Sequence, residues 1–396
     1  MENSTLPFLP TAAAARARLA AFAPAAGGAY AQKRNFDLGA GAHTHVSALS
    51  PYVRMKLLDE ADLSRAVLAQ TDATAAEKFL MEVWWRPYWK GWMEQRPAVW
   101  AQYRDDLARL RNEVQTQSGL RARWEAACLG QTGIAPFDAW AHELAQTGYL
   151  HNHARMWFAS IWIFTLGLPW QLGADFFLRH LLDGDAAVNT LSWRWVAGLQ
   201  TPGKTYLARP DNIAKFTNGR FMGVQGLARH APPVQAPPPP ARQDIPDLPP
   251  YSGAPADRVA LLLHSDDIGA PLLEALQITP IATAYLDCTA AQSPWASAPM
   301  VTNFRRALVQ DLHPQVHLLA DEHALEAWAR SNGIDQIITP HAPVGCVRAA
   351  LRRLRKATDL PIHEVRREID SAAWPLATAG FFKFRSHIPA LLDRFA

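Results

Sequence analysis

Cysteine is scarce in this chain of 396 residues. Its three thiols, Cys128, Cys288 and Cys346, stand far apart with no Cys-x-x-Cys pair, which argues against structural zinc and against a four-thiolate iron–sulfur site. No metal ligand set is expected, and a reducing cytoplasm is the simplest compartment. Long apolar runs are missing too. The longest uncharged stretch, Met156 to Ala174, is most apolar over Met156–Trp170, too short to cross a bilayer and with Pro169 near its end. It reads as a buried helix, and no membrane partner is expected. Charge of one sign is also in short supply. At a net +3 the overall field is weak, so a polyanion would have to be held by a local basic surface.

What is present describes a globular protein. The chain is 49% hydrophobic and 19% charged, and its length exceeds one ordinary core, so two domains are expected. The Ala/Arg-rich opening, Thr11 to Gly28, has a superficial likeness to a transit peptide. Alanine is the best helix former, and a surface helix explains it more simply.

Proline marks the organisation. Between Ala231 and Asp257 the run Ala-Pro-Pro-Val-Gln-Ala-Pro-Pro-Pro-Pro, followed by Pro246, Pro249 and Pro250, removes backbone donors and favours an extended, semi-rigid spacer. A docking site for a proline-reading partner is the competing use of such a run. The boundaries drawn are 1–230 for a helical domain, 231–256 for the linker and 257–396 for an α/β domain.

Before the linker, helical patterns cover Ala75–Trp92, Pro97–Val114, Pro136–Gln146, His151–Leu166 and Gly173–Leu182. Twelve of the fifteen tryptophans fall within Trp84–Trp195, so this domain is either packed with indoles or built around a planar cofactor. After the linker, apolar runs at Val259–His264, Ile281–Asp287, Val316–Ala320, Gln336–Thr339 and Ile362–Val365 alternate with helical patterns at Ile268–Gln277, Met300–Asp311, Glu322–Asn332 and Gly345–Ala357. Strands joined by crossover helices predict a parallel, Rossmann-like sheet. Ser265-Asp266-Asp267 and Pro340-His341 fall at its carboxyl edge, where such sheets hold ligands, but turn and capping duty explains them equally well.

Two stretches carry the chemistry: Thr147-Gly-Tyr-Leu-His-Asn-His-Ala-Arg-Met156 and Leu181-Leu-Asp-Gly-Asp-Ala-Ala-Val-Asn-Thr-Leu-Ser-Trp-Arg-Trp195. Asn152, Arg155 and Met156 share one helix face, and amides, acids and indoles crowd into short spans. Together they resemble the flavin pocket of the photolyase and cryptochrome superfamily. The likeness runs from about Tyr30 to Phe221. Tyr30-Ala-Gln-Lys-Arg34 and Val46-Ser-Ala-Leu-Ser-Pro-Tyr52 are similar to a flavin-contacting tyrosine and a TSxLSPY phosphate cradle, with Val46 where threonine is usual. Glu82-Val-Trp-Trp-Arg86 resembles the ELxWR box, with Pro87 replacing an acidic residue.

The resemblance implies FAD as cofactor, held by Tyr30, Ser47, Ala48, Leu49, Ser50, Arg86, Asn152, Arg155, Asp183, Asp185 and Asn189. It places Glu82, Trp85 and Asn152 against the substrate, and Trp193 and Trp170 at the start of an electron-hopping chain, with Trp124, Trp157 or Trp162 as substitutes further out. His151 and His153 flank the second box and read as core or surface residues. Asn189, where plant cryptochromes carry aspartate and many animal ones cysteine, points to a reduced, repair-competent flavin. A 6-4 photoproduct enzyme would carry histidines at Asn152 and Met156, so the lesion implied is a cyclobutane pyrimidine dimer. The activity implied is light-driven electron transfer from FAD to dimer-containing, ultraviolet-damaged DNA by a monomeric deoxyribodipyrimidine photolyase. The alternative is a cryptochrome-like blue-light receptor acting through a signalling partner. A second, antenna chromophore is left open. In this family the α/β domain ordinarily comes first, so the resemblance implies a permuted order; Trp374–Phe384 is similar to the segment that leads from that sheet into the helical part.

One decoy competes. Gly198-Leu-Gln-Thr-Pro-Gly-Lys-Thr205 fits GxxxxGK[ST] letter for letter, yet a phosphate loop needs a strand before it and a helix after it. A tryptophan-rich turn precedes this one and Pro210 follows.

Overall fold

The structure is a computed structural model that describes residues 8–248, 258–269, 279–321 and 323–396. It is helical up to Phe216, then carries a five-stranded sheet interleaved with helices, and closes on three short helices. The helix expected over Ile268–Gln277 lies almost wholly outside the described residues.

The long helices form where the apolar periodicity placed them, at Glu77–Glu94, Ala98–Thr116, Ala135–Thr147, Asn152–Ser160 and Trp170–His180. The expected run to Leu166 differs in kind: the α-helix ends at Ser160 and a π-turn takes over at Ile161–Thr165. One extra residue per turn shifts the face that the helix presents. Helices at Gly28–Lys33, Ser50–Arg54, Glu60–Leu68 and Pro210–Phe216 are too short for a periodic signal and were not anticipated. The Ala-rich opening is helical at Ala12–Phe22, with Thr11 as its cap, and buries Ala12, Ala15, Leu19 and Phe22.

The strands β1 (Val259–His264), β2 (Ala282–Leu286), β3 (His317–Leu319), β4 (Gln336–Pro340) and β5 (Ile362–Val365) are all parallel, in the order β3-β2-β1-β4-β5. Successive side chains on a strand face opposite ways, so a nearly unbroken apolar strand must be covered twice. On β1, Ala260 and Leu262 pack with Trp328, Val347 and Leu351 of the sheet's own helices. Leu261 and Leu263 instead join a core with Leu19, Tyr52 and Val53 of the helical part and Phe304 of the helix Pro299–Leu312. The helical part thereby serves as one layer over the sheet.

The last helices, Glu368–Ala373, Phe381–Arg385 and Ile388–Phe395, turn back onto the helical part, where Phe381, Phe384, Ile388 and Leu391 pack among Trp84, Tyr88, Trp89 and Trp92. Contact is close enough that a Cβ on Gly91 would meet the Trp374 backbone at 2.6 Å. The Pro-rich stretch has no helix or strand in its described part and runs along the surface, tied by Val234 N donating to Ala197 O and Gln243 N to Gln95 O. Among the described residues no helix is long and apolar enough to cross a membrane.

Candidate flavin site

The helix Asn152–Ser160 is capped by His151, whose Nδ1 accepts from the His153 amide at 3.1 Å. That cap aims Asn152, Arg155 and Met156 into a cavity of about 680 Å³, within the range of a cofactor site. Across from it Asp185 caps the helix Ala186–Val196, accepting from the amides of Ala187 and Val188 at 3.0 Å each, and this sets Asn189 and Trp193 on the facing wall.

Arg155 forks onto Asp183, Nη1 to Oδ1 at 3.1 Å and Nη2 to Oδ2 at 2.9 Å, while its Nε donates to the Leu150 carbonyl. Burial opposes ionisation of Asp183, yet the Arg155 guanidinium, a Ser50 hydrogen bond and Arg86 outweigh it and hold the carboxyl below its ordinary value. Asp185 is treated likewise. Against its burial stand Lys90 Nζ at 3.4 Å, Arg86 Nη1 at 3.5 Å and Arg54 Nε at 3.8 Å, which push its pKa well down. Both carboxylates therefore stay charged beside the cavity.

Ser47–Ser50 forms another wall. Ala48 sits at φ +48°, a left-handed conformation disfavoured for alanine, and Leu49 follows in the right-handed region. A left-to-right alternation of this kind gathers successive amides into a concave nest suited to phosphate. Trp193 also lines the cavity. Its ring lies so near Gly173 that a Cβ there would meet it at 2.2 Å, and its indole N–H is buried without a hydrogen bond.

One cavity thus brings together Tyr30, Ser47, Ala48, Leu49, Ser50, Glu82, Trp85, Arg86, Asn152, Arg155, Asp183, Asp185, Asn189 and Trp193. Trp170 is the exception. It does not line the cavity; it begins the helix Trp170–His180 and its ring packs 5.7 Å from Tyr103. The indole beside Trp193 is instead Trp162, edge-on at 6.1 Å, with the Phe177 ring nearer still at 5.1 Å. Glu82 is ion-paired with Arg34 at the cavity wall. Asn189 donates to the Ala174 carbonyl at 2.8 Å, which fixes the orientation of its amide.

Several lining residues had no sequence signal. His153, read as core or surface, lines the cavity and meets the Tyr206 hydroxyl at 3.2 Å. Tyr206, Asn212 and Phe216 come from the stretch around the unanticipated helix Pro210–Phe216, and Trp89 from one turn beyond the Glu82–Arg86 box.

The Gly198–Thr205 decoy is settled by its surroundings. A helix ends before it at Val196, turns occupy Gly198–Gly203, and the next helix starts only at Pro210, so no strand-to-helix phosphate loop forms. Nearby, Asp37, His43 and Glu143 place oxygen and nitrogen atoms within 4.8 Å of one another. Asp37 already accepts from Trp140 Nε1, Arg220 Nη2 and the Gly39 amide, so it reads as a structural knot.

Residues 79–219 match the family described as the FAD binding domain of DNA photolyase. That stretch belongs to the photolyase and cryptochrome superfamily. The deoxyribodipyrimidine photo-lyase of Streptomyces griseus is 32% identical over 199 residues, covering 47% of this chain and 42% of the relative. Those of Thermus thermophilus and Escherichia coli are 33% and 31% identical over 203 and 197 residues, covering 50% and 49% of this chain and 45% and 40% of the relatives. The chain thus spans less than half the length of these curated relatives. A solved bacterial class III photolyase from Agrobacterium tumefaciens is 25% identical, covers 52% of this chain and 43% of that one, and superposes with a TM-score of 0.44. FAD as the cofactor, and a helical flavin domain joined to an α/β part, agree with the family.

The cavity fits the group. It offers an amide nest for phosphate, a fixed arginine–carboxylate pair and charged donors such as Arg86, whose buried Nη1 lacks a hydrogen bond.

Proposed function

We propose that this chain repairs cyclobutane pyrimidine dimers in DNA by light-driven electron transfer. The observation that carries the reading is that Glu82, Trp85, Asn152 and Asn189 share one cavity with the Arg155–Asp183 pair, so groups suited to a flavin and groups suited to a base line the same space. When bound and reduced, FAD would supply a photo-excited electron that opens the dimer's four-membered ring and would take that electron back once the two bases are restored, leaving no net oxidation or reduction.

The protein's own residues do the positioning. Arg155 and Asp183 hold each other rigidly and offer a cation and an anion to a polar ring edge. The Ser47–Ser50 amides and Arg86 are placed for phosphates. Asn152, at the first position of its helix, and Glu82, held by Arg34, present an amide and a carboxylate to the Watson–Crick edges of an extruded dinucleotide. Trp85 supplies an apolar face against which bases stack. Flipping is feasible because a damaged, poorly stacked step costs less to open.

The test is direct. Protein carrying reduced FAD is mixed with an oligonucleotide holding a thymine dimer and illuminated with near-ultraviolet or blue light; restoration of the thymines is expected. Bound flavin without repair at saturating light would overturn this reading and transfer the weight to a blue-light receptor.

A further inference from the structure

We infer that Phe382 is a wedge that enters duplex DNA beside the cavity and fills the gap left by the extruded dinucleotide. The inference rests on the repair reading and adds a contact outside the cavity.

Phe382 is the most exposed large hydrophobic side chain among the described residues, at 80%. Its neighbours show that this is not a shortage of apolar shelter. Phe381 and Phe384, on the same short helix Phe381–Arg385, are buried among Trp84, Tyr88, Trp89 and Trp92. The ring therefore projects from a firm base. Tyr88 Oη donates to the Ala379 carbonyl at 2.9 Å, Arg96 Nη2 to Thr378 O at 3.0 Å, and Arg385 pairs with Glu77.

Its place relative to the cavity gives the exposure a use. Phe381 stacks on Trp85 with centroids 3.6 Å apart and planes 10° off parallel, and Trp85 lines the cavity. Phe382 is thus one residue from the ring that backs the cavity wall. Lys383 is exposed beside it, and Arg209 and Lys215 are exposed around the helix Pro210–Phe216, which contributes Asn212 and Phe216 to the same cavity. Exposed cations of this kind suit the phosphates flanking a lesion, Arg209 being shared with Asp211 at 3.4 Å. Removing a dinucleotide from a duplex leaves unstacked faces that water covers poorly, and apolar side chains inserted between base steps restore that contact.

A single strand has no such gap, and this separates a wedge from a general DNA contact. The FAD-loaded full chain and its Phe382→Ala and Phe382→Leu variants are titrated by fluorescence anisotropy with a duplex carrying a central thymine dimer and with the same damaged strand alone. Phe382→Ala is expected to weaken duplex binding about tenfold, to leave single-strand binding and flavin content unchanged, and to reduce the emission of 2-aminopurine placed opposite the dimer; Phe382→Leu restores most of both. Unchanged duplex binding by Phe382→Ala would overturn the wedge, and so would an equal loss on both DNAs. If the parent chain binds neither damaged DNA, the repair reading itself falls and the wedge falls with it.

Discussion

Arg54 and Asp266 meet at 2.6 Å where the helical part presses on the carboxyl edge of the sheet, and both side chains are buried. The same guanidinium donates to the carbonyls of Gly184 at 2.7 Å and Ser265 at 3.0 Å and lies 3.8 Å from Asp185. A side chain from the helical part therefore occupies the crevice at which parallel sheets ordinarily take ligands, and it touches the loop that shapes the flavin site. Arg367 repeats the pattern, forking onto Asp267 while reaching Asp59 at 3.5 Å.

Replacing Arg54 by methionine keeps the bulk and removes the charge, leaving Asp266 buried without its cation. A loss of roughly 3–5 kcal/mol is expected, seen as a lower unfolding midpoint in denaturant. Arg54→Met with Asp266→Asn should recover part of it. A single variant as stable as the parent would show that the pair holds nothing together.

Flavin retention and repair should separate. Arg155→Ala or Asp183→Asn breaks the fork and is expected to release FAD on gel filtration. Asn152→Ala should keep the visible flavin spectrum while slowing repair about tenfold, ~1.4 kcal/mol in barrier. Loss of flavin from Asn152→Ala would place that side chain in the wrong role.

Trp193→Phe should block photoreduction of bound flavin, followed by its absorbance under blue light with an external reductant. Trp170 stands one turn before Gly173, the residue on which the Trp193 ring rests, so Trp170→Phe should slow the same process. Unaltered rates in either variant would remove that indole from the path.

Burial pushes the His151 imidazole from its ordinary 6.5 down to about 4, with Asp37 opposing the shift and His43 and His153 adding to it. The unfolded chain then takes up a proton between those values that the native chain refuses. Stability contributed by neutral His151 is fully present above pH 6.5 and falls as the pH drops towards 4, by on the order of 2 kcal/mol at pH 5 and on the order of 3 kcal/mol at pH 4. Thermal unfolding followed from pH 7 to pH 5 should show this slope, flattened in His151→Asn, which keeps a capping side chain.

The cavity was legible because its residues come in tight local boxes; Asn152 with Arg155 and Asp183 with Asp185 and Asn189 are close in sequence before they are close in space. The sheet was legible because strands such as Leu261–Leu263 are apolar on both faces. Arg54 with Asp266 was not, since an ion pair across more than two hundred residues leaves no periodic trace. Asn212 and Phe216 reach the cavity through a helix of seven residues, too short to show a face, and Tyr206 through the irregular segment before it. The helices from Glu368 onward escaped for the same reason, and their partners, such as Trp84 and Trp92, lie far back in the sequence.

Those closing helices bear on synthesis. As the polypeptide leaves the ribosome, Trp84, Tyr88 and Trp92 emerge long before Phe381, Phe384 and Leu391, the residues that will cover them. The indole cluster stays uncovered while the intervening residues are made, a window in which sticky rings invite holding by a chaperone or wrong association. The completed flavin bowl is thus a late event, sealed from the back by turns translated long after its walls.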